Sequence, residues 1–204
     1  MTDGVAAAVL AAGLGTRFGG DIPKPLRELG GRPLVVHALA AARGSGCAPL
    51  LVVVGNDRVE AFVRAWRDIE VVRNEKPEVG IATSLQAAVR ALEPRAGVRG
   101  VVVGLADQPL VGAEAYTRVA AAIDTGVHLA YATYGGERAN PVLVARELWG
   151  EVLELAGDIG ARVLFGRHDA LAVPCDGTGS PDDVDTPADL ANLESRWRSQ
   201  TASE

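Results

Sequence analysis

At 204 residues, with 48% hydrophobic and 23% charged residues, the chain can bury one sizeable core and lacks the composition of a disordered protein. A net charge of −6 argues against a general nucleic-acid binder or a binder of anionic membranes, both of which carry a basic face, so a phosphate site must be a local cluster of cations. Cys47 and Cys175 have no Cys or His at ligand spacing and read as reduced structural thiols; no apolar run is long enough to span a bilayer, and the expected location is the cytoplasm.

Short apolar runs alternate with alanine-rich helical patterns, the mark of βαβ units about a largely parallel sheet, so the fold class is α/β. Strands are predicted at residues 5–10, 50–54, 69–72, 101–105, 129–133, 141–144 and 171–173. Helices are predicted at 33–42, 57–66, 82–92, 113–123, 146–155, 161–165 and 187–196. No repeat or linker interrupts the pattern, so residues 1–204 read as one domain with a frayed polar tail at 199–204.

The first strand runs into a loop holding Gly13, Gly15, Gly19 and Gly20, where backbone N–H groups can approach phosphate oxygens, and Arg17 and Lys24 add positive charge. A Walker A loop needs Ser or Thr after its Lys, but Pro25 follows Lys24. A dinucleotide fingerprint needs a helix opening at the glycines, whereas Pro23 and Pro25 keep this chain non-helical until about Pro33. Further on, Asn74 and Gly80 precede Thr83-Ser84, a pair that suits a helix cap after a glycine turn.

The apolar run 101–105 leads into Ala106-Asp107-Gln108-Pro109, which puts Asp107 at the carboxyl end of a central strand, where open α/β sheets bind ligands. An isolated Asp there could simply start a turn, but a second acidic stretch follows at Asp182, Asp183 and Asp185. Mg²⁺ takes one or two protein carboxylates together with substrate phosphates, and Asp107 with Asp185 would supply them. Asp185 sits before Thr186-Pro187 and could also cap the last helix, while Asp189 is expected to face solvent one turn later. Between these acids, Gly157, Asp158, Gly160 and Arg162 form either a helix–helix turn or a ligand segment. His37, His128 and His168 have no partner at catalytic spacing and read as structural.

The motifs Leu10-Ala11-Ala12-Gly13 with Gly15, Arg17, Phe18, Gly19 and Lys24, then Leu105-Ala-Asp107-Gln-Pro109, then Asp183-Val-Asp185-Thr-Pro-Ala-Asp189-Leu, resemble the MobA-like nucleotidyltransferases. The resemblance is nearest to the molybdenum cofactor cytidylyltransferases and spans most of the chain. It implies a Rossmann-like nucleotidyltransferase fold in which Leu10, Ala11, Ala12, Gly13 and Gly15 contact the nucleotide, Arg17 and Lys24 its triphosphate, and Gly80 and Ser84 its base. By the same resemblance Asp107 and Asp185 hold Mg²⁺, and Lys24, Arg17 and Asp107 are the catalytic groups. Ala12, in place of a second glycine, implies CTP rather than GTP.

Asp158, Gly160 and Arg162 match an acceptor-site motif of the molybdenum cofactor enzymes, implying that cofactor as acceptor and a molybdoenzyme as client. The glycine expected before Asn140-Pro141 is missing. The opening motif also resembles the methylerythritol-phosphate cytidylyltransferases, so that acceptor, or a sugar phosphate, stays open. Two readings of other classes remain: an NAD(P)-dependent oxidoreductase, motivated by the glycine loop and Asp57, and a silent module that delivers molybdenum cofactor.

Overall fold

The computed structural model describes residues 3–157 and 159–201, so Asp158 lies outside the described residues. The chain threads β1 (Val5–Ala11), a small hairpin of β2 (Glu28–Leu29) and β3 (Arg32–Pro33), α1 (Leu34–Gly44), β4 (Leu50–Val54), α2 (Asp57–Val63) and β5 (Glu70–Arg73). It continues through α3 (Ile81–Leu92), β6 (Gly100–Leu105), α4 (Ala113–Ala121), β7 (Leu129–Tyr134), β8 (Glu137–Ala145), α5 (Trp149–Leu153), β9 (Leu171–Pro174) and α6 (Pro187–Thr201).

Seven strands form one sheet in the order β5-β4-β1-β6-β8-β7-β9. All run parallel except β8, which is antiparallel to both β6 and β7. The apolar runs form strands here because helices cover both faces: every residue of β1 and β4 is buried. One face packs on α1, α2 and α4, and the other on α3 and α5. Truncating a fully buried side chain such as Leu51 to Ala would cost about 2–5 kcal/mol.

The chain steps from β1 outward to β4 and β5 and then returns to place β6 on the other side of β1. The loops that follow β1 and β6 therefore diverge, opening a crevice at the carboxyl edge of the sheet. A third apolar cluster closes its side: Phe18 of the glycine loop packs with Leu29, Leu34, Val184 and Leu193. The Val184 amide also donates to the Asp107 carbonyl at 2.9 Å, pinning the late acidic stretch beside the end of β6.

Several boundaries differ from the sequence reading for local reasons. The strand expected at 141–144 begins at Glu137, because Gly135 and Gly136, both at positive φ (58° and 83°), make a two-residue hairpin from β7 to β8. The helix expected at 161–165 is a 3-10 turn, Ala161–Gly166, too short to gain from α-helical cooperativity. The last helix runs to Thr201, past the start of the expected tail.

Candidate active site

Lys24 leaves the glycine loop in a 3-10 turn, Lys24–Leu26, whose prolines set its backbone. Gly15 has φ 59°, and a Cβ there would lie 2.8 Å from Lys24 Cβ, so only glycine lets the loop fold against the lysine stem. The Lys24 ammonium donates to Asp107 Oδ2 at 2.6 Å and to Asp185 Oδ1 at 2.8 Å. Arg17 reaches the other oxygen of Asp185 at 3.0 Å.

These contacts are unequal. The Lys24 side chain is 10% exposed and that of Arg17 is 72% exposed, so the lysine bridge is largely shielded while the arginine pair is screened by water. Burial pulls the Lys24 pKa down, but the charges and hydrogen bonds of Asp107 and Asp185 outweigh it and hold the net value above the usual lysine range. The hydrogen bond from Lys24 holds Asp185 below the usual carboxylate range.

Asp107 Oδ1, the second oxygen of that carboxylate, is buried without a hydrogen-bond partner. A buried anionic oxygen lacking a donor suits a hard cation. No group of three or more His, Cys, Asp or Glu among the described residues is placed to hold a metal. Asp107 and Asp185 offer two carboxylates, the number that Mg²⁺ usually takes from a protein beside substrate phosphates and waters.

The helix cap at this point is not Asp185. Thr186 Oγ1 accepts from the Asp189 amide at 3.2 Å, and Asp189 Oδ2 accepts from the Thr186 amide at 2.7 Å, a reciprocal cap. Asp189 is thus half-buried and engaged rather than solvated, and it leaves the Asp185 carboxylate free to face Lys24.

A cavity of about 450 Å³ opens above this cluster. Leu10, Ala12, Gly13, Gly15 and Arg17 form one wall, Gly80 and Ser84 the other, and Lys24, Asp107 and Asp185 also line it. The second wall is the amino end of α3, whose dipole favours an anion. Buried Asn74 fixes Ser84, donating to the Thr83 and Ser84 hydroxyls at 2.9 Å each. Ala11 lines an adjoining cavity of about 250 Å³ instead. A larger groove of about 510 Å³, beside Cys47 and Ile69 at the other end of β4 and β5, contains none of these residues.

Gly160 and Arg162 line neither site cavity. A Cβ on Gly160 would lie 3.4 Å from Ile81 Cγ2, and the Ala82 amide donates to the Gly157 carbonyl at 3.4 Å, so this segment backs the α3 wall. Arg162 itself is exposed. The sequence reading missed Gln108, which accepts from Asn140 Nδ2 and donates to the Pro181 carbonyl, both at 3.1 Å, tying β8 and the late acidic stretch to the Asp107 turn. It also passed over Asp183, whose pKa is raised by desolvation and by repulsion from Asp107; the run of acids around Asp185 was the available signal.

The dinucleotide reading has no geometry behind it. After β1 the next α-helix begins at Leu34, and Asp57 pairs with Arg73 at 2.8 Å.

The sequence matches the MobA-like NTP transferase domain over residues 7–171. The crystal structure of Rv0371c from Mycobacterium tuberculosis H37Rv is similar at 29% identity and a TM-score of 0.80, covering 96% of this chain and 100% of that one. A manganese complex of Rv0371C is similar at 29% identity and a TM-score of 0.73, covering 94% and 98%. Bifunctional protein GlmU of Caulobacter vibrioides is 39% identical over 172 residues, 82% of this chain. The 2-C-methyl-D-erythritol 4-phosphate cytidylyltransferase of Cereibacter sphaeroides is 38% identical over 124 residues, 59% of this chain and 54% of that protein. The chain spans 35% of the length of that GlmU and 24% of the GlmU of Jannaschia sp. strain CCS1. The chain belongs to the MobA-like NTP transferase family.

Proposed function

We propose that this MobA-like NTP transferase moves CMP from CTP onto the phosphate of molybdopterin, the molybdenum cofactor, and releases pyrophosphate. The observation that carries the reading is the bridge from Lys24 to Asp107 and Asp185 beside a glycine-walled cavity. A buried cation flanked by two acids from distant parts of the chain is suited to neutralising phosphate charge, and phosphoryl-type transfer asks little else of a protein.

In this mechanism an acceptor phosphate oxygen attacks the α-phosphorus of CTP in line, a new P–O bond forms, and the bond to the β-phosphate breaks. The amides of the glycine loop and the amino end of α3 position the triphosphate. Lys24 shifts from its carboxylates toward the phosphates, and the exposed Arg17 follows charge onto the leaving pyrophosphate. Mg²⁺ held by Asp107 and Asp185 would supply further charge neutralisation on the phosphates.

Ala12 beside Gly80 and Ser84 supports cytosine as the base. The likeness of the motif Gly157, Asp158, Gly160 and Arg162 to that of molybdenum cofactor enzymes supports that acceptor. A methylerythritol-phosphate acceptor is the second reading, favoured by 38% identity to that cytidylyltransferase over 124 residues. The reading also places the protein in the cytoplasm with a molybdoenzyme as client; among the described residues no helix is long and apolar enough to cross a membrane.

Pyrophosphate release from CTP, GTP and ATP, each with molybdopterin, methylerythritol phosphate or a sugar phosphate, tests the proposal. CTP with molybdopterin should give the highest kcat/KM. A higher value for GTP, or for either other acceptor, would displace it.

A further inference from the structure

Along the same edge of the sheet, Arg138 of β8 is held in an unusual way. Its guanidinium carbon lies 4.7 Å from the Tyr131 ring centroid and 4.4 Å from that of Phe165. The two rings meet edge to face at 5.2 Å. Tyr131 comes from β7 and Phe165 from the 3-10 turn Ala161–Gly166, so three separate segments converge on one cation. Arg138 is exposed, and among the described residues no carboxylate pairs with it and no acceptor takes its N–H groups. Aromatic faces fix a guanidinium in place without using its five donors, which stay available to a ligand.

The register puts this cation on the active-site side. β8 runs antiparallel to β6 and pairs Val142 with Val103, so residues before Asn140 run past Leu105, the carboxyl end of β6. Asn140 is already bonded to Gln108, the neighbour of Asp107. Tyr131 and Phe165 pack on the same face of the sheet as Leu10, Ala12 and Ile81, which line the main cavity. Arg138 is on β8, the strand next to β6, so it lies at the same edge of the sheet as Asp107, beyond the end of β6.

We propose that Arg138, braced by Tyr131 and Phe165, recognises the far end of the acceptor. It would donate charge-assisted hydrogen bonds to a carbonyl or anionic oxygen of the acceptor at a point away from its phosphate. This inference rests on the proposed reaction, in which that phosphate sits at Lys24 and Asp107. It narrows the acceptor to a phosphate ester that carries a carbonyl or anionic oxygen beyond its phosphate, a group a simple polyol phosphate lacks.

The test compares wild type with Arg138→Gln, Arg138→Lys and Phe165→Leu, reading KM for molybdopterin in pyrophosphate release, CTP affinity by calorimetry and thermal melting. Arg138→Gln should raise KM for molybdopterin about tenfold or more, because bonds to a charged donor are lost. CTP affinity and Tm should stay at wild-type values, Arg138→Lys should recover part of the loss, and Phe165→Leu should fall between. Unchanged KM in Arg138→Gln, with wild type active on molybdopterin, would overturn this inference alone. A wild-type protein active on methylerythritol phosphate and inert toward molybdopterin would overturn it together with the acceptor assignment. If Arg138→Gln does not fold, Phe165→Leu decides by the same two readings.

Discussion

The Lys24 ammonium lies 2.6 Å from Asp107 Oδ2, although 83 residues separate the two in the chain. The pairing exists because the loops after β1 and β6 diverge at the point where strand order reverses, leaving their side chains to face each other across the crevice. Asp107→Asn keeps the shape of the side chain and removes its charge. It should cost at least about 2.7 kcal/mol of transition-state stabilisation, roughly a hundredfold in kcat/KM, with a folded protein by circular dichroism. Near wild-type turnover in saturating Mg²⁺ would contradict the assignment.

Gly15→Ala isolates the placement of Lys24. The new Cβ would lie 2.8 Å from Lys24 Cβ on a backbone at φ 59°, so the lysine must move or the loop must strain. A left-handed non-glycine residue costs about 1–2 kcal/mol, a modest loss of Tm. Activity should fall further, about tenfold or more in kcat/KM, because a misplaced charge no longer meets the phosphates. Activity that falls only as far as stability does would show that Lys24 is not being positioned by this glycine.

The bridge also has a pH signature. The hydrogen bond from Lys24 holds Asp185 below the ordinary carboxylate range, so its contribution to stability is present above that range and fades as pH falls through the lower folded value. Lys24 is held above 10.5, so its contribution is full below that pH and fades as pH rises through the higher folded value. The Tm difference between wild type and Asp185→Asn should therefore be level from about pH 5 to 9 and shrink on either side. A difference that stays constant down to about pH 2 would mean that Asp185 gains nothing from Lys24 in the folded state.

Arg162 offers a cleaner experiment than its sequence motif alone would allow. Since it is exposed, Arg162→Ala should leave Tm within about 0.5 kcal/mol of wild type in equivalent stability. If Arg162 contacts the acceptor, KM for the acceptor should rise while KM for CTP stays put, and Lys24→Ala should show the reverse emphasis. Steady-state kinetics on both variants gives the comparison. An unchanged acceptor KM in Arg162→Ala would remove Arg162 from the acceptor site.

The strands that build the crevice were legible because burial on both faces demands unbroken apolar runs, and Leu50–Val54 was read to the residue. Glu137 and Arg138 hid the start of β8, since a strand that runs beyond the covered part of the sheet need not be apolar; the Gly135-Gly136 pair was the signal for its hairpin. For the site, Arg17, Lys24, Asp107 and Asp185 were each visible as charge beside a turn. Their convergence was expected from the family resemblance rather than from charge and turns alone, because it depends on Val184 pairing with the Asp107 backbone and on the packing of Phe18 against Leu193. The role of Asp189 was misread because a reciprocal Thr–Asp cap looks, in sequence, like any acid in a first helical turn.

Label placed on the α-phosphate of CTP tests nucleotidyl transfer at this site most directly. With Mg²⁺ and molybdopterin, wild-type protein should carry the label into the acceptor product and release unlabelled pyrophosphate, at a rate about a hundredfold above that of Asp107→Asn. Label that stays in CTP, or that appears as free CMP at the same rate without acceptor, would contradict it.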